Sequence, residues 1–305
     1  MNEDKMVVLT KAAQIITLSY LSVCFVIIWC GNLVLWIYLR RTTSKASTYI
    51  KAIIIATLPV VVISLPLNMF QVFMNFRDGG SCMHIRFLQY ITLFFPKLTV
   101  VNLIAVMSLV RYLDIINWKH KHLLEYTKTI VTCVTVYTLI LCTPIVYEMY
   151  LYFLSPTPRS VCIEKTHGKE APLPAPIYSL VSITFSVTSA SFVVLVTTVC
   201  LLRLVHRHEK SVSKIFRKKV RMDTRRIMAT QILWISFAVY WMPYGILHTL
   251  GNSIAVSKYV HCAIILQAIA YSSFFTLPTV YYAMDFEYGK YITNIFKRIL
   301  RKLMK

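Results

Sequence analysis

Apolar residues dominate the chain in long stretches that contain no Asp, Glu, Lys or Arg. A helix needs roughly 20 apolar residues to cross a bilayer, and six stretches reach about that length. They are Ala12–Leu39, Ala52–Phe76, Thr129–Tyr147 with an apolar continuation to Phe153, Ala171–Leu202, Ile227–Ser257 and Tyr259–Met284. A seventh, Phe87–Val110, is interrupted only by Lys97, and a single lysine can face neighbouring helices. The pattern therefore predicts seven transmembrane helices.

The hydrophobic pattern changes after the seventh stretch. Apolar side chains then recur three or four positions apart, opposite a row of Lys and Arg. These apolar residues are Tyr288, Tyr291, Ile292, Ile295, Phe296, Ile299 and Leu303. A basic amphipathic helix of this kind lies in the membrane interface. The sequence thus predicts one membrane domain over residues 1–305, with an interfacial helix at 286–303. The predicted spans are about 12–39, 52–76, 84–110, 129–153, 174–203, 227–252 and 259–284.

Composition and the position of the charges agree with this interpretation. Charged residues make up 15% of the chain, against about 25% in soluble proteins, which excludes a soluble domain. With the N-terminus outside, the segments 40–51, 111–128, 203–226 and 285–305 lie inside and hold 24 of the 33 Lys+Arg but 6 of the 12 Asp+Glu. Cytosolic loops are enriched in Lys and Arg, so we expect the N-terminus outside and the C-terminus inside. The net charge of +21 is then a topology signal that also suits anionic lipid, and nucleic-acid binding is not needed to explain it.

The cysteines fall into two groups. Five of the eight lie inside predicted spans and away from their outer ends, where a thiol is usually a small apolar side chain: Cys24, Cys30, Cys133, Cys142 and Cys200. Cys82 and Cys162 fall in or beside outer loops, in an oxidising compartment, and we expect them to form a disulfide. Cys262 is left without an outer partner.

Short motifs occur in four of the predicted spans. The third span ends in Ser-Leu-Val-Arg-Tyr-Leu, which contains Arg111 and Tyr112, and the first contains Gly31-Asn32. The sixth and seventh hold the others: Phe237, Trp241, Pro243 and Tyr244, then Pro278 and Tyr281. They resemble, in the same order, the Asp-Arg-Tyr, Gly-Asn, Phe-x-x-Cys-Trp-x-Pro-Tyr and Asn-Pro-x-x-Tyr motifs of rhodopsin-like (class A) G-protein-coupled receptors. The resemblance covers the whole chain and implies an all-α seven-helix membrane bundle with a cytosolic amphipathic eighth helix.

The resemblance also implies roles for the motif residues. Arg111 is expected to pair with Asp223, which lies 20 residues before Pro243, and rupture of that contact would open the cytosolic cleft that a heterotrimeric G protein fills. The implied switch residues are Arg111, Tyr112, Asp223, Pro278 and Tyr281, and the implied activation core is Phe237, Trp241 and Pro243. From the residues alone, an interfacial arginine, tolerated proline kinks and ordinary core aromatics are also consistent with the sequence.

Three positions depart from the family pattern. Val110 stands where the family has the acid before its arginine, Thr57 stands nine residues before Pro66 where the family has an Asp, and Leu277 replaces the Asn before Pro278. In the family these positions build a sodium-coordinating polar network that stabilises the resting state. The sequence therefore predicts a receptor with measurable activity in the absence of ligand.

Lys97 is the least expected residue of the chain. A cation within a span costs at least about 2.5 kcal/mol, so it should face the bundle or a water-filled cavity. It lies 14 residues before Arg111, on the face that lines the ligand cavity in this family, and we place it there with Tyr244. Lys97 is then a candidate for binding a carboxylate or phosphate of a ligand. Internal pairing with Glu148, Asn68 or Asn102 is the equally weighted alternative.

The preferred interpretation is a divergent rhodopsin-like receptor of the plasma membrane that signals to heterotrimeric G proteins, with an unknown and potentially anionic extracellular ligand. The Ser-Leu-Val-Arg-Tyr-Leu string is also similar to a chemokine-receptor homologue of gammaherpesviruses, and in that case the host cell membrane is the site of action. The subfamily stays open. The alternatives are a non-coupling decoy or partner protein on the receptor fold and, with less support, a transporter or channel. No phosphate-binding loop, metalloprotease or hydrolase motif is present, so we expect neither an enzyme nor a cofactor or metal site.

Overall fold

The computed structural model describes residues 11–42, 45–73, 82–116, 127–154, 187–200, 202–203, 225, 228–244 and 256–303. Within these ranges the regular structure is helical. The helices are α1 (Lys11–Arg40), α2 (Lys45–Pro59), α3 (Leu65–Phe73), α4 (Cys82–Ile116), α5 (Thr127–Leu154), α6 (Val187–Cys200), α7 (228–244), α8 (Val256–Tyr271), α9 (Ser273–Met284) and α10 (Phe286–Leu303).

Three helical segments of the described residues are long and apolar enough to cross a membrane. They are Lys11–Arg40, Ser47–Phe73 and Ile91–Val110, and the segments Thr127–Thr143 and Val187–Cys200 are shorter but also apolar. Large apolar side chains cover their outer surfaces, for example Ile16 and Phe192, which are more than 60% exposed. Such a surface is stable in contact with lipid and not with water.

α1 illustrates how the core forms. Its buried residues are spaced three or four positions apart, so they form one stripe along the helix: Thr17, Leu21, Cys24, Ile28, Asn32, Leu35 and Leu39. This stripe packs against α3 and α9, whereas the opposite face is exposed. The core continues through α2, α4, α7, α8 and α9, where side chains such as Leu103, Phe237 and Tyr271 are buried.

The second predicted span is not a continuous α-helix. A π turn at Val60–Ser64 separates α2 from α3, and the Leu65 N–H donates to the Val60 carbonyl five residues earlier. Pro66 follows directly and has no N–H to donate, so regular α-helical bonding is interrupted at this point. A π turn changes the angle at which the following residues leave the helix, and Ser64 and Asn68 are buried in and after it.

The last predicted span is also divided. α8 and α9 meet at Ser272, where the Ser272 N–H donates to the Ile269 carbonyl at 3.0 Å and the Phe275 N–H donates to the Ser272 carbonyl at 3.0 Å. These bonds connect residues three apart and tighten the chain locally. The Ser272 hydroxyl is hydrogen-bonded to the Tyr20 hydroxyl of α1, so the junction is held against the first helix.

α10 begins at a side-chain cap. Asp285 is extended, with φ −100° and ψ 105°, and its Oδ1 accepts hydrogen bonds from the backbone N–H of Glu287 at 3.0 Å and of Tyr288 at 3.1 Å. Tyr288 is buried against Tyr38 of α1, with the ring centroids 5.0 Å apart. Burial raises the pKa of the Tyr288 phenol, and the neighbouring Tyr291 and Tyr38 add to the effect. The cap and this aromatic contact fix α10 to the end of α1.

Replacing Asp285 with alanine should loosen the start of α10. Loss of an N-cap acceptor costs about 1 kcal/mol, so backbone amides of residues 287–291 should exchange with deuterium roughly fivefold faster, because 1.4 kcal/mol corresponds to a tenfold change. Asp285→Asn keeps an acceptor oxygen and serves as the control, with protection close to that of the unmodified protein. If the amides of the alanine variant exchanged as slowly as those of the unmodified protein, packing of Tyr288 alone would fix this helix.

Candidate functional site

The centre of the bundle holds a lysine stacked on a tryptophan. The Lys97 Nζ atom of α4 lies 4.3 Å from the centroid of the Trp241 ring of α7. This distance is within the roughly 6 Å at which a cation is attracted to the negative face of an aromatic ring. Lys97 is half-buried, whereas Trp241 is 4% exposed, so the contact connects a partly buried cation to a residue of the core.

Trp241 is fixed on its other sides by a polar contact and by aromatic rings. Its Nε1 donates to the Ser273 Oγ at 2.8 Å, and both groups are buried. The rings of Phe237, Phe274 and Tyr244 surround the indole, with centroids between 6.0 and 6.1 Å away, and the Phe274 and Tyr244 rings meet it edge-on. This edge-to-face geometry is favourable for aromatic pairs. The cluster therefore joins α4, α7 and α9.

The internal partners predicted for Lys97 are only partly described, so internal pairing stays a prediction. The Asn102 amide nitrogen donates to Thr138 at 3.4 Å, and the Asn68 amide nitrogen has no hydrogen-bond partner among the described residues. Glu148 lies in α5, but its side chain is outside the described part of the structure. The Lys97–Trp241 stacking was not anticipated, although the sequence contained its two components: a cation within the third span and the aromatic motif of the sixth.

Buried hydroxyl groups connect other helices of the bundle. The hydroxyl of Ser64, the last residue of the π turn, is 2.8 Å from the Tyr271 hydroxyl of α8. The Ser108 hydroxyl of α4 is 2.7 Å from that of Thr197 in α6. Both pairs are buried, where a hydroxyl without a partner is costly. Sequence reasoning missed these pairs, because serine and threonine inside a span also bond to their own helix.

The Gly31-Asn32 motif lies where α1 meets α9. A Cβ atom added at Gly31 would lie 2.9 Å from the Cγ of Pro278, so only glycine permits this approach. Asn32 is 6% exposed, and neither its amide nitrogen nor its amide oxygen has a hydrogen-bond partner among the described residues. The Thr57 hydroxyl is used within its own helix, where it donates to the Ile54 carbonyl at 2.7 Å.

Substituting Gly31 with alanine should destabilise the α1–α9 interface. The proline ring cannot rotate away from the new methyl group, and overpacking of this kind typically costs about 1–3 kcal/mol. We expect a lower thermal unfolding midpoint of the detergent-solubilised protein. Val23→Ile also enlarges a side chain of α1, but at a position 57% exposed, and should leave the midpoint unchanged. An unchanged midpoint for Gly31→Ala would show that α1 and α9 separate without cost.

The predicted switch residues are only partly described. Arg111 and Tyr112 lie near the end of α4, and Tyr112 is half-buried, whereas the Arg111 side chain is outside the described part. Asp223 and Cys162 lie outside the described residues, and Cys82 is the first residue of α4. Pro278 and Tyr281 are buried in α9, whereas Pro243 in α7 is exposed. The Arg111–Asp223 contact and the disulfide therefore remain predictions.

No metal-binding cluster occurs in the described residues: three or more His, Cys, Asp or Glu side chains are nowhere close enough together to hold an ion.

Comparison with known proteins gives a family match and structural matches. A family model described as 7 transmembrane receptor (rhodopsin family) matches residues 31–281, a range that contains every motif from Gly31-Asn32 to Tyr281. The crystal structure of squid rhodopsin superposes with a TM-score of 0.67 at 13% sequence identity, covering 96% of this chain and 87% of that chain. At this identity the likeness shows the fold, a seven-helix bundle. No curated protein matches the chain.

Proposed function

Because the chain belongs to the rhodopsin family of seven-transmembrane receptors, we propose that it is a plasma-membrane receptor that activates heterotrimeric G proteins. In this proposal an anionic group of the extracellular ligand is bound by Lys97, beside Tyr244. Trp241 transmits the resulting change to the cytosolic ends of the helices. The family is a class of receptors and not of enzymes, in line with the absence of known catalytic motifs in the sequence.

The observation that carries this proposal is the position of the Lys97 ammonium over the Trp241 ring. A cation–π contact contributes about 0.5–2 kcal/mol, whereas hydrogen bonds to charged groups contribute about 1.5–3 kcal/mol. A ligand carboxylate or phosphate would therefore compete with the ring for the ammonium. Binding of the anion would draw Lys97 away from Trp241.

The contacts of Trp241 suggest how the loss of its contact with Lys97 would be transmitted. Trp241 is bonded to Ser273 of α9 and packs against Phe237 of its own helix. Five residues after Ser273 lies Pro278, which contacts α1 at Gly31. A shift of Trp241 would thus act on both α7 and α9. In the proposed mechanism, their movement separates Arg111 from Asp223 and opens the G-protein cleft.

The resting state of this receptor should be weakly restrained. Val110 and Leu277 cannot supply the polar groups that the family uses at these positions, and Asn32 has no partner among the described residues. Moving a two-state equilibrium from 1:99 to near parity takes only about 2.7 kcal/mol. The absence of a few polar contacts can lower the stability of the resting state by this much free energy.

Ligand-independent G-protein activation is the direct test of the proposal. Nucleotide exchange on purified G proteins, measured in membranes with verified receptor content, should exceed that of membranes without the receptor. Arg111→Ala should abolish the signal with the fold intact, and Asp223→Ala should raise it. The exposed Arg225 lies in the same basic segment as Asp223. Arg225→Ala removes one positive charge, as Arg111→Ala does, and should have little effect on nucleotide exchange.

A non-coupling decoy or partner protein is the competing function, because the loss of several polar switch residues of the family is also consistent with a receptor fold that no longer couples. Such a protein would give no exchange above background with any G-protein class, and the Arg111 and Asp223 variants would behave like the unmodified chain. That result would overturn the coupling proposal while leaving the family assignment intact.

A further inference from the structure

A stripe of buried polar side chains runs along α3 from the end of the π turn. Ser64, Asn68 and Gln71 are spaced four and three residues apart, so they share one face of the helix, and they are 0%, 2% and 8% exposed. Phe70 and Phe73 lie on the opposite face and are 48% and 66% exposed. The two phenylalanines therefore face lipid, whereas the polar stripe faces the interior of the bundle.

One end of this stripe is connected to the aromatic cluster of the candidate site. The Ser64 hydroxyl is hydrogen-bonded to the Tyr271 hydroxyl. Tyr271 lies two residues before Ser273, whose hydroxyl accepts the hydrogen bond of the Trp241 indole. Because Trp241 is also the residue beneath the Lys97 ammonium, the stripe and the proposed anion site belong to the same part of the bundle.

Asn68 and Lys97 lie at similar depths in the membrane. The apolar segment that contains Asn68 ends five residues later at Phe73, and the segment that contains Lys97 begins six residues earlier at Ile91. At 1.5 Å per residue, these positions are about 8 and 9 Å from the ends of their segments, and the charge distribution predicts that both ends face outside. Since α3 contacts α4, a ligand bound at Lys97 would extend along α3 on its way out.

Two amide groups of the stripe have hydrogen atoms left to donate. The Asn68 and Gln71 amide nitrogens are buried and have no hydrogen-bond partner among the described residues, which is unfavourable for a polar group. The amide nitrogen of Gln14 in α1 is used, because it donates to the Val72 carbonyl at 2.9 Å and to the Phe73 carbonyl at 2.7 Å. These bonds hold the end of α3 against α1, so the backbone that carries the two unpaired amides is fixed.

The complement of two such donors is a pair of acceptor oxygens with matching separation. Residues three apart on a helix have their Cβ atoms about 5–6 Å apart. Carbonyl groups on one side of an extended peptide recur at every second residue, about 6.6 Å apart. Each amide can therefore donate to one carbonyl of an extended peptide. A fatty acid or a simple phosphate monoester has no acceptor groups beyond its charged end.

We propose that Asn68 and Gln71 form a second part of the ligand site, which binds backbone carbonyls of an extended peptide whose C-terminal carboxylate is bound by Lys97. This inference deepens the proposed function and rests on it, because it takes Lys97 as the site of the anionic group. It assigns the ligand to a chemical class, peptides with a free carboxylate. Asn68 and Gln71 then determine specificity, since they select ligands that carry carbonyl oxygens beyond the charged group.

Binding of peptides to the full chain in lipid nanodiscs tests this assignment. The probe is a pool of random-sequence hexapeptides with free C-terminal carboxylates, and the retained peptides are identified by mass spectrometry. We expect the receptor to retain a subset of the pool above empty nanodiscs. The same pool with amidated C-termini should bind about tenfold more weakly, because it lacks the charge that Lys97 recognises.

Backbone substitutions in the best-retained peptide then identify the carbonyls that are bound. An E-alkene in place of a peptide bond keeps the shape but removes the carbonyl oxygen and the N–H, whereas an ester removes only the N–H. Two alkene replacements, two residues apart, should each weaken binding about tenfold. The esters at the same two positions are the matched controls and should bind nearly as well as the parent peptide.

Variants with matched controls connect these carbonyls to the two amides. Asn68→Leu and Gln71→Leu should each weaken binding of the parent peptide about tenfold and cancel the effect of one alkene, because both changes remove the same hydrogen bond. Asn32→Leu and Gln231→Leu also remove buried amide nitrogens without a partner among the described residues. These two residues lie in the predicted inner halves of α1 and α7, so both control variants should bind the peptide normally.

Three results would overturn the peptide assignment. Retention of no peptide above empty nanodiscs would exclude this class of ligand. Equal binding of the parent peptide and all its alkene analogues would mean that water satisfies the two amides. Binding of 1-oleoyl lysophosphatidate that is lost in both leucine variants, with no peptide retained, would assign the carbonyl to a lipid ester.

Failure of the proposed function gives a different pattern from failure of this inference. Peptide binding without any nucleotide exchange would overturn coupling and leave the peptide site intact. Equal retention of the amidated and free-acid pools would overturn the anion site at Lys97 and the peptide direction that rests on it. The alkene and ester peptides are compared on the unmodified protein, so the proposal stays testable if a leucine variant fails to fold.

Discussion

Replacing Lys97 with methionine is expected to shift the resting equilibrium towards the active state by a factor of roughly 5 to 30 and so to raise ligand-independent G-protein activation, provided that the receptor couples as proposed. The variant removes the cation over Trp241 but keeps a flexible apolar side chain of similar length. Losing about 1–2 kcal/mol of cation–π attraction shifts the resting equilibrium by that factor. Nucleotide exchange at equal receptor content is the measurement, and responses to anionic ligands should be lost in the same variant.

Controls for this prediction distinguish the contact from the charge. Lys97→Arg keeps a cation that stacks on aromatic rings and should stay close to the unmodified receptor. Lys128→Met removes an exposed lysine of α5 and should have no effect. In a double-mutant cycle with Trp241→Leu, the two changes should be non-additive, because each removes the same contact. Additive effects would contradict a direct restraint between Lys97 and Trp241.

Loss of the predicted disulfide is expected to have the second-largest effect. Cys82 begins α4, and a bond to Cys162 would attach the start of this helix to the loop that precedes the fifth span. A disulfide that closes a loop of this length typically stabilises by about 2–4 kcal/mol. Cys82→Ser and Cys162→Ser should each reduce cell-surface receptor several-fold, as measured by flow cytometry, because destabilised proteins are degraded faster.

The double variant provides the internal check on the disulfide. If the two sulfurs are bonded, removing both should cost no more than removing either one. Cys262→Ser changes an exposed free cysteine of α8 and is the matched control, with normal surface levels. Mass spectrometry of the non-reduced protein that finds both Cys82 and Cys162 as free thiols would contradict the prediction outright.

The all-helical membrane fold and the receptor family were predicted from the sequence and are confirmed by the family match and the structural likeness to squid rhodopsin. Both predictions depend on signals that are local in the chain: the length of apolar stretches, the position of charges and short motifs. The breaks inside the second and seventh spans were not predicted. Pro66 indicates that backbone bonding is interrupted there, but a kink, a π turn and a broken helix all satisfy the same sequence.

The contacts of the candidate site were less accessible to sequence reasoning. Lys97 was expected to face the bundle, yet its partner depends on the relative rotation of α4 and α7, which residue spacing does not define. Trp241 was assigned to the activation core from its motif, but its bond to Ser273 crosses to a different helix. Asn32 could not be recognised as unsatisfied, because the partners of a buried amide depend on how the neighbouring helices pack.

The π turn at Val60–Ser64 also affects how this chain should be aligned with relatives. A π turn holds one more residue than an α-turn over nearly the same rise, so it is equivalent to a single-residue insertion in the helix. A gap-free alignment with a relative that lacks the turn would be displaced by one residue on one side of it. Such a shift would exchange Val61, which is buried, with Val62, which is 53% exposed. Alignments of this span therefore need a one-residue gap within 60–64 before any residue in it is assigned a counterpart.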